Sequence, residues 1–170
     1  MGFDPMALTT RQFAGAVLVA SAAVLGAALL SQYWGGLAPC ELCLLQRWPW
    51  WVAIAIAAAA WLIDGRLALP IPAILLAIVF LTGAGIAFYH VGVEQHWFAG
   101  PTACTASGAD ATSVDALRAQ LLGTQPVMCD QVQWSLFGVS LAGWNLLASL
   151  AMAGLCAAVA RGRSFGRVTA

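Results

Sequence analysis

The chain has 170 residues, of which 62% are hydrophobic and 8% charged, and its formal net charge is zero. Soluble domains usually carry about a quarter charged residues, so this composition excludes a water-soluble globule. The length predicts a single membrane domain over residues 1–170, and no nucleic-acid partner is predicted.

Four apolar blocks without charges follow one another along the chain. A membrane-spanning helix needs roughly 20 apolar residues, and lipid requires every backbone polar group to be satisfied within the segment. We therefore predict an all-α integral membrane protein, a four-helix transmembrane bundle. The predicted spans are at about 13–32, 43–63, 67–89 and 136–160. A cleaved signal peptide is the less favoured interpretation of the first block, which is longer than the usual 7–15 residues.

The basic residues indicate the orientation of these spans, because all seven are arginines and five lie on one side. These five are Arg11, Arg66, Arg161, Arg163 and Arg167. The positive-inside rule places their side, with both termini, in the cytoplasm. Residues at about 33–42 and 90–135 are then outer loops, and the second of them is long and polar.

The first candidate site is a pair of cysteines at the predicted start of the second span, Cys40 and Cys43. A helix N-terminus favours a thiolate, and the side chain of Arg47, one turn on, is expected to lean back toward Cys43. An arginine this close to a membrane span is costly and usually has a partner. The pattern favours a redox-active disulfide, with a structural disulfide or half of a metal site as alternatives.

A second group of polar residues lies at the end of the third span, where His90 and Glu94 are four residues apart and His96 follows. Their spacing lacks a convincing set of metal ligands, so no metal is predicted. Proton transfer is a plausible role, and a structural pair is the alternative. No role is assigned to His96.

The long outer loop contains the second pair of cysteines, Cys104 and Cys129, and a predicted short amphipathic helix at 112–122. This helix is expected either on the bilayer surface or packed on the bundle. The two cysteines alone favour a structural disulfide, worth roughly 3–4 kcal/mol. Beside a second pair, they can instead collect electrons from a soluble partner and pass them on by thiol–disulfide exchange.

Such a pathway needs an electron acceptor, and the sequence contains no nucleotide-binding or haem-attachment motif. A lipid-soluble quinone needs only an apolar slot between helices with a few polar groups. Five aromatic residues lie at the outer membrane level, although an interfacial aromatic belt accounts for most of them. They are Trp48, Trp50, Trp51, Phe88 and Tyr89. Cys156, inside the fourth span, is expected to be a packing residue.

Taken together, these motifs resemble the bacterial disulfide bond formation protein B (DsbB) family, over essentially the whole chain. The matching segments are Pro39-Cys40-x-x-Cys43-x-x-x-Arg47, Tyr89-His90 with Val93-Glu94, Gly100-Pro101-x-x-Cys104, Cys129-Asp130 and the stretch from Trp134 to Trp144. The residues between the first two cysteines, Glu41 and Leu42, are a departure, because an acidic side chain beside a thiolate opposes its formation.

The resemblance implies a membrane thiol oxidase of the bacterial inner membrane with both cysteine pairs in the periplasm. The loop disulfide Cys104–Cys129 would reoxidise DsbA, a soluble thioredoxin-fold dithiol oxidase, with Cys104 forming the mixed disulfide. Cys129 would then attack Cys40, and Cys43 would pass the electrons to a quinone, with ubiquinone favoured over menaquinone.

The same resemblance makes Arg47, His90 and Glu94 the expected cofactor-binding residues, with Arg47 near the quinone oxygen or the Cys43 sulfur. Two other functions remain open from the residues alone. One is a non-enzymatic four-span protein with structural disulfides, and the other is a membrane conduit that passes reducing electrons outward.

Overall fold

The structure is a computed structural model that describes residues 9–63, 67–101, 114 and 127–165. Its helices are α1 (Thr10–Tyr33), α2 (Glu41–Leu45), α3 (Trp48–Leu62), α4 (Pro70–Glu94) and α5 (Leu141–Phe165), and its strands are β1 (Ser135–Leu136) and β2 (Val139–Ser140). Within this described part, four helical segments are long and apolar enough to cross a membrane, with α2 and α3 forming one of them. The predicted four-helix membrane architecture is confirmed.

The second span is interrupted, whereas the sequence predicted one helix over 43–63. It begins earlier, at Glu41, and a turn at Gln46 and Arg47 separates α2 from α3. Pro49 explains the interruption, because proline has no backbone N–H to continue the hydrogen-bond ladder and is tolerated only in the first turn of a helix. The break decides where the side chains of Gln46 and Arg47 point.

The last helix begins at Leu141 and not at 136, because a small antiparallel hairpin precedes it. The hairpin turns at Phe137 and Gly138, which have φ values of 52° and 77°. Positive φ at both central residues is the geometry of a tight two-residue hairpin turn. The Ser140 hydroxyl then accepts a hydrogen bond from the Gly143 backbone N–H at 3.1 Å and caps α5.

Packing runs in sequence order, with α1 against α3, α3 against α4 and α4 against α5. The core combines small residues with three buried rings, those of Phe13, Trp50 and Phe80, and the Trp50 and Phe80 centroids lie 5.2 Å apart. A Cβ on Gly83 of α4 would lie 3.1 Å from the Pro49 Cβ, so the missing side chain allows α3 and α4 to approach closely. The C-terminal end of α4 also packs against α2.

The third span runs from Pro70 to Glu94, so it begins three residues later and ends five residues later than the expected limits of 67–89. The chain reverses directly after it, with His96 at a φ of 58°. The Phe98 ring folds back onto Gly92, where a Cβ would overlap it. Two predicted features, the amphipathic helix at 112–122 except Val114 and the residue Cys104, lie outside the described residues.

Candidate redox site at the cysteine pair

Cys40 and Cys43 lie together at the N-terminus of α2, as the sequence predicted. Cys40 is the N-cap, and its Sγ accepts a hydrogen bond from the Cys43 backbone N–H at 3.3 Å. The two Sγ atoms are 3.1 Å apart, with Cys40 donating to Cys43. A disulfide bond is about 2.05 Å long, so the structure presents the pair as a dithiol within easy reach of bond formation. The side chain of Glu41, between them, is exposed.

The two sulfurs of this pair are not equivalent. Cys40 is only 3% exposed, and the hydrogen bond to Cys43, together with burial, raises the pKa of Cys40 to about 12. A hydrogen bond with His90 acts in the opposite direction on the same thiol. In the dithiol form Cys40 therefore keeps its proton at neutral pH, and Cys43 is on the receiving side of the hydrogen bond between the sulfurs.

A third predicted cysteine, Cys129, joins this site from the outer loop. It is fully buried in one cluster with Cys40, Leu42 and Val93, and Cys43 packs against the same cluster. The structure thus brings together three of the four cysteines proposed from the sequence. The fourth, Cys104, is outside the described residues.

A cavity of about 720 Å³ lies on the Cys43 side of the pair. Side chains of α1 and α5 line it from two sides, and α2, α3 and the segments before α2 and β1 complete it. Its apolar lining includes Leu25, Leu37, Trp50, Leu141 and Ala148, and its polar lining includes Cys43, Gln46, Arg47 and Asn145. Volumes of roughly 300–1,000 Å³ with a few polar groups are typical of small-molecule sites.

Arg47 lines this cavity together with Cys43. Its Nη1 donates a hydrogen bond of 2.6 Å to the Gln32 Oε1 of α1. A turn at Gln46 and Arg47 interrupts the continuous helix on which the expected contact with Cys43 was based, and this contact stays a prediction. The guanidinium is bonded to α1 and borders the same space as the Cys43 sulfur.

His90 and Glu94, also predicted as cofactor-binding residues, are not among the described residues that line the cavity. The His90 Nε2 is 3.7 Å from the Cys40 Sγ and 3.9 Å from the Glu94 Oε1. Glu94 accepts a hydrogen bond of 2.5 Å from the Ser140 hydroxyl, which links the end of α4 to the start of α5. His96 is exposed beyond the end of α4.

Two further polar residues, Gln46 and Asn145, connect His90 to the cavity, which both of them line, and neither was proposed from the sequence. The Gln46 side-chain nitrogen lies 2.5 Å from the His90 Nδ1, and the Asn145 Nδ2 donates to the Gln46 Oε1 at 2.6 Å. The Trp50 indole N–H in turn donates to the Asn145 Oδ1 at 2.8 Å. The sequence did contain a signal for these two residues, because amide side chains inside apolar spans are unusual and need hydrogen-bond partners.

The ligand atoms of Cys40, Cys43 and His90 lie within 4.8 Å of one another, in a combination that soft metal ions prefer. This cluster differs from the His90, Glu94 and His96 group that the sequence analysis weighed for metal. The prediction of no metal remains a prediction.

Comparison with known proteins identifies the family of this chain. The family described as disulfide bond formation protein DsbB matches residues 10–159. Disulfide bond formation protein B of Methylococcus capsulatus is 35% identical over 137 residues, covering 77% of this chain and 82% of the relative. The protein of the same name from Aromatoleum aromaticum is 29% identical over 150 residues, covering 83% and 86%. No solved structure matches the chain. The chain therefore belongs to the DsbB family of disulfide-forming membrane oxidoreductases.

Proposed function

We propose that this protein reoxidises a periplasmic DsbA-like dithiol protein and transfers the electrons through two cysteine pairs to a membrane quinone. One observation carries the proposal: the two sulfurs at the start of α2 have different neighbours. Cys43 lines an apolar cavity between membrane helices, whereas Cys40 is buried beside His90 in the cluster that contains Cys129. A pathway from a loop cysteine to a lipid-soluble acceptor requires this arrangement of the two sulfurs.

The thiol–disulfide steps follow from these contacts and from the pairing that the family resemblance implies. A partner thiolate attacks Cys104 of the Cys104–Cys129 disulfide, forming a mixed disulfide and releasing Cys129 as a thiolate. Cys129 then attacks the Cys40 Sγ, so that a Cys40–Cys129 bond forms, the Cys40–Cys43 bond breaks and the electron pair leaves on Cys43. The partner's second thiol resolves the mixed disulfide and releases the partner in its oxidised form.

The cavity suits a quinone in size and lining. A bound quinone supplies the oxidising power, accepting two electrons and two protons. Arg47 would donate a hydrogen bond to a carbonyl oxygen at the polar end of the cavity, with Gln32 holding its guanidinium in place. Apolar residues of α1 and α5, such as Val24 and Ala148, would contact the tail. Ubiquinone is the favoured quinone.

The location proposed for this reaction is the bacterial inner membrane. Both chain termini would be cytoplasmic, since five of the seven arginines then lie inside. Both cysteine pairs would face the periplasm, an oxidising compartment in which disulfides persist.

The test is quinone reduction by the purified protein with its lipid, followed by absorbance after addition of a reduced periplasmic dithiol protein. We expect turnover with all four site cysteines present, and its absence would overturn the proposal. Cys104→Ser should block turnover with the protein partner but still allow a small thiol to reduce the Cys40–Cys43 disulfide. Cys156→Ser is the matched control, because Cys156 is buried within α5, away from the pathway, and the variant should retain turnover.

A further inference from the structure

We propose that a directional chain of hydrogen bonds, from Trp50 through Asn145 and Gln46, holds His90 as a hydrogen-bond donor to Cys40. Gln46 and Asn145 are then positioning residues for the thiol exchange, and this role rests on the proposed function. The chain joins α3, α5, α2 and α4 behind the cysteine pair. The direction in which these hydrogen bonds are donated follows from the chemistry of the first residue, Trp50.

Trp50 starts the chain because an indole nitrogen only donates hydrogen bonds. The Trp50 N–H is 2.8 Å from the Asn145 Oδ1, which must therefore be the amide oxygen. The NH₂ group at the other end of the Asn145 amide then faces Gln46, and its Nδ2 donates to the Gln46 Oε1 at 2.6 Å. One donor-only group thus fixes the orientation of both amides.

The chain ends on the imidazole of His90. With its oxygen toward Asn145, Gln46 turns its NH₂ group to the His90 Nδ1, 2.5 Å away. A neutral imidazole has one donor and one acceptor nitrogen, so Nδ1 accepts and the ring proton lies on Nε2. The Nε2–H is 3.7 Å from the Cys40 Sγ, within the range of hydrogen bonds to sulfur, and 3.9 Å from the Glu94 Oε1, beyond normal hydrogen-bond length.

Burial of these side chains makes it costly to reverse the direction of the hydrogen bonds. Trp50, Gln46 and His90 are each at most 5% exposed, and Asn145 is half-buried. Reversing one amide would place two donors or two acceptors face to face, which loses a hydrogen bond between largely buried groups. The same tautomer removes the Nε2 lone pair that a metal ion would need, so it argues for a donor role of His90 and against ligation.

A donor at Cys40 has a defined use in the thiol exchange. When the Cys104 thiolate attacks Cys129, the Cys104–Cys129 bond forms, the Cys40–Cys129 bond breaks and the electron pair leaves on the Cys40 Sγ. The Nε2–H of His90 stabilises this thiolate, because hydrogen bonds to charged acceptors are about twice as strong as neutral ones. The opposite tautomer would point a lone pair at the departing charge.

The tautomer can be observed directly by nitrogen NMR of protein labelled at histidine in the quinone-free dithiol form. The chain contains two histidines, so a His96→Gln variant assigns the signals. We expect His90 to be protonated on Nε2 in the unmodified protein. Protonation on Nδ1, or an equal mixture of the two tautomers, would overturn the inference whether or not the protein reduces quinone.

Two near-isosteric variants test the direction of the hydrogen bonds in this chain. Both are measured at a pH where the infrared carboxyl band shows that the new side chain is ionised. Gln46→Glu places an acceptor beside the His90 Nδ1 and should move the ring proton there. Asn145→Asp should do the same from farther away, because Gln46 must turn its NH₂ group toward the carboxylate. If neither variant changes the tautomer, the inference fails. If only Gln46→Glu does, the link through Asn145 and Trp50 is wrong.

The matched control is Ser149→Ala, one turn along α5 from Asn145, at a buried hydroxyl without a hydrogen-bond partner among the described residues. It should leave the tautomer and the turnover unchanged. At saturating quinone, Asn145→Asp should lower kcat for partner oxidation about tenfold, whereas an effect confined to the KM for quinone would contradict the positioning role. Absence of turnover in the unmodified protein would instead overturn the proposed function and leave the NMR result standing.

Discussion

The cysteine pair at the start of α2 separates two regions of opposite character. On the Cys43 side is a wide, largely apolar cavity between α1 and α5, with Arg47 at its border. On the Cys40 side is a compact group of buried polar side chains, in which His90 and Glu94 are held by short hydrogen bonds to Gln46 and Ser140, and Gln46 also borders the cavity. One side has room for a ligand, whereas the other has its polar atoms already paired.

This difference shows how two cysteines only three positions apart can have separate tasks. The sulfur that faces free apolar volume is suited to a lipid-soluble acceptor. The buried sulfur, with the His90 ring nitrogen 3.7 Å away and Cys129 in the same cluster, is suited to exchange between disulfides. The asymmetry arises because the Cys40 side chain, at the N-cap, accepts a hydrogen bond from the Cys43 backbone N–H, whereas the Cys43 side chain in the first turn borders the cavity.

The largest expected effect is a difference in thiol reactivity between the two sulfurs. In the dithiol form at pH 8, a lipophilic maleimide should modify Cys43 at least about a hundredfold faster than Cys40, because reactivity follows the thiolate fraction. The hydrogen bond to Cys43, together with burial, raises the pKa of Cys40 to about 12, so its reactivity should increase only as the pH rises beyond 9 toward that value. Peptide mass mapping after a short reaction measures both rates.

The control for this measurement is the unfolded chain, in which both cysteines should react at similar rates. Equal rates in the folded protein, or faster modification of Cys40, would remove the proposed division of tasks. The experiment needs no partner protein and no quinone, so it tests the comparison independently of turnover.

The cavity side is tested next, at the arginine that borders it. Arg47→Leu should raise the KM for quinone by about tenfold to a hundredfold, because a charge-assisted hydrogen bond contributes roughly 1.5–3 kcal/mol. Gln32→Leu, which removes only the hydrogen bond to the guanidinium, should have a smaller effect. Steady-state quinone reduction at saturating partner concentration measures both. An unchanged KM in Arg47→Leu would exclude Arg47 from quinone binding.

The sequence predicted the four spans and the cysteine pair well, because both depend on local composition. The apolar blocks are long enough to identify spans without any tertiary contact, and a cysteine pair next to such a block predicts its position at a helix start. The interruption after Leu45 was missed, although Pro49 was a visible signal for it. The hairpin before Leu141 was missed because its residues continue the apolar composition of the span.

The polar side of the site was only partly predictable, for a different reason. His90 and Glu94 were proposed from their spacing on one helix, but the Gln46 and Asn145 contact joins residues 99 positions apart. Such a contact depends on how α2, α4 and α5 pack, and helices that are apolar all round carry little periodic information about which face meets which neighbour. The exposed apolar residues of α4, such as Ile78, illustrate this point.

The end of α4 provides a smaller effect that is specific to the polar side. Gly92→Ala should lower the free energy of unfolding by about 1–3 kcal/mol, because the new Cβ would overlap the Phe98 ring and displace the turn that carries Glu94. Gly85→Ala is the matched control in the same helix, with no atom within 4 Å of its added Cβ, and should stabilise by up to about 1 kcal/mol. Unfolding in detergent followed by circular dichroism compares them.

A loss of stability in Gly92→Ala without a change in the His90 tautomer would show that the polar side tolerates movement of the last turn of α4. The chain from Trp50 to His90 would then be sufficient to hold the imidazole by itself. Equal effects of the two alanine variants would contradict the close contact with Phe98.

The smallest effect is expected where both regions meet, at the hairpin before α5. Trp134 and Leu141, at its two ends, line the cavity, and Ser140 binds Glu94 on the polar side. Phe137 is 89% exposed and adopts a φ of 52°, a conformation that asparagine followed by glycine adopts with far less strain. Phe137→Asn should therefore raise the free energy of unfolding in detergent by about 1 kcal/mol and leave turnover unchanged. If the variant is instead less stable in lipid than in detergent, the exposed ring of Phe137 contacts the bilayer. Contact with the membrane then helps to hold both sides of the site in place.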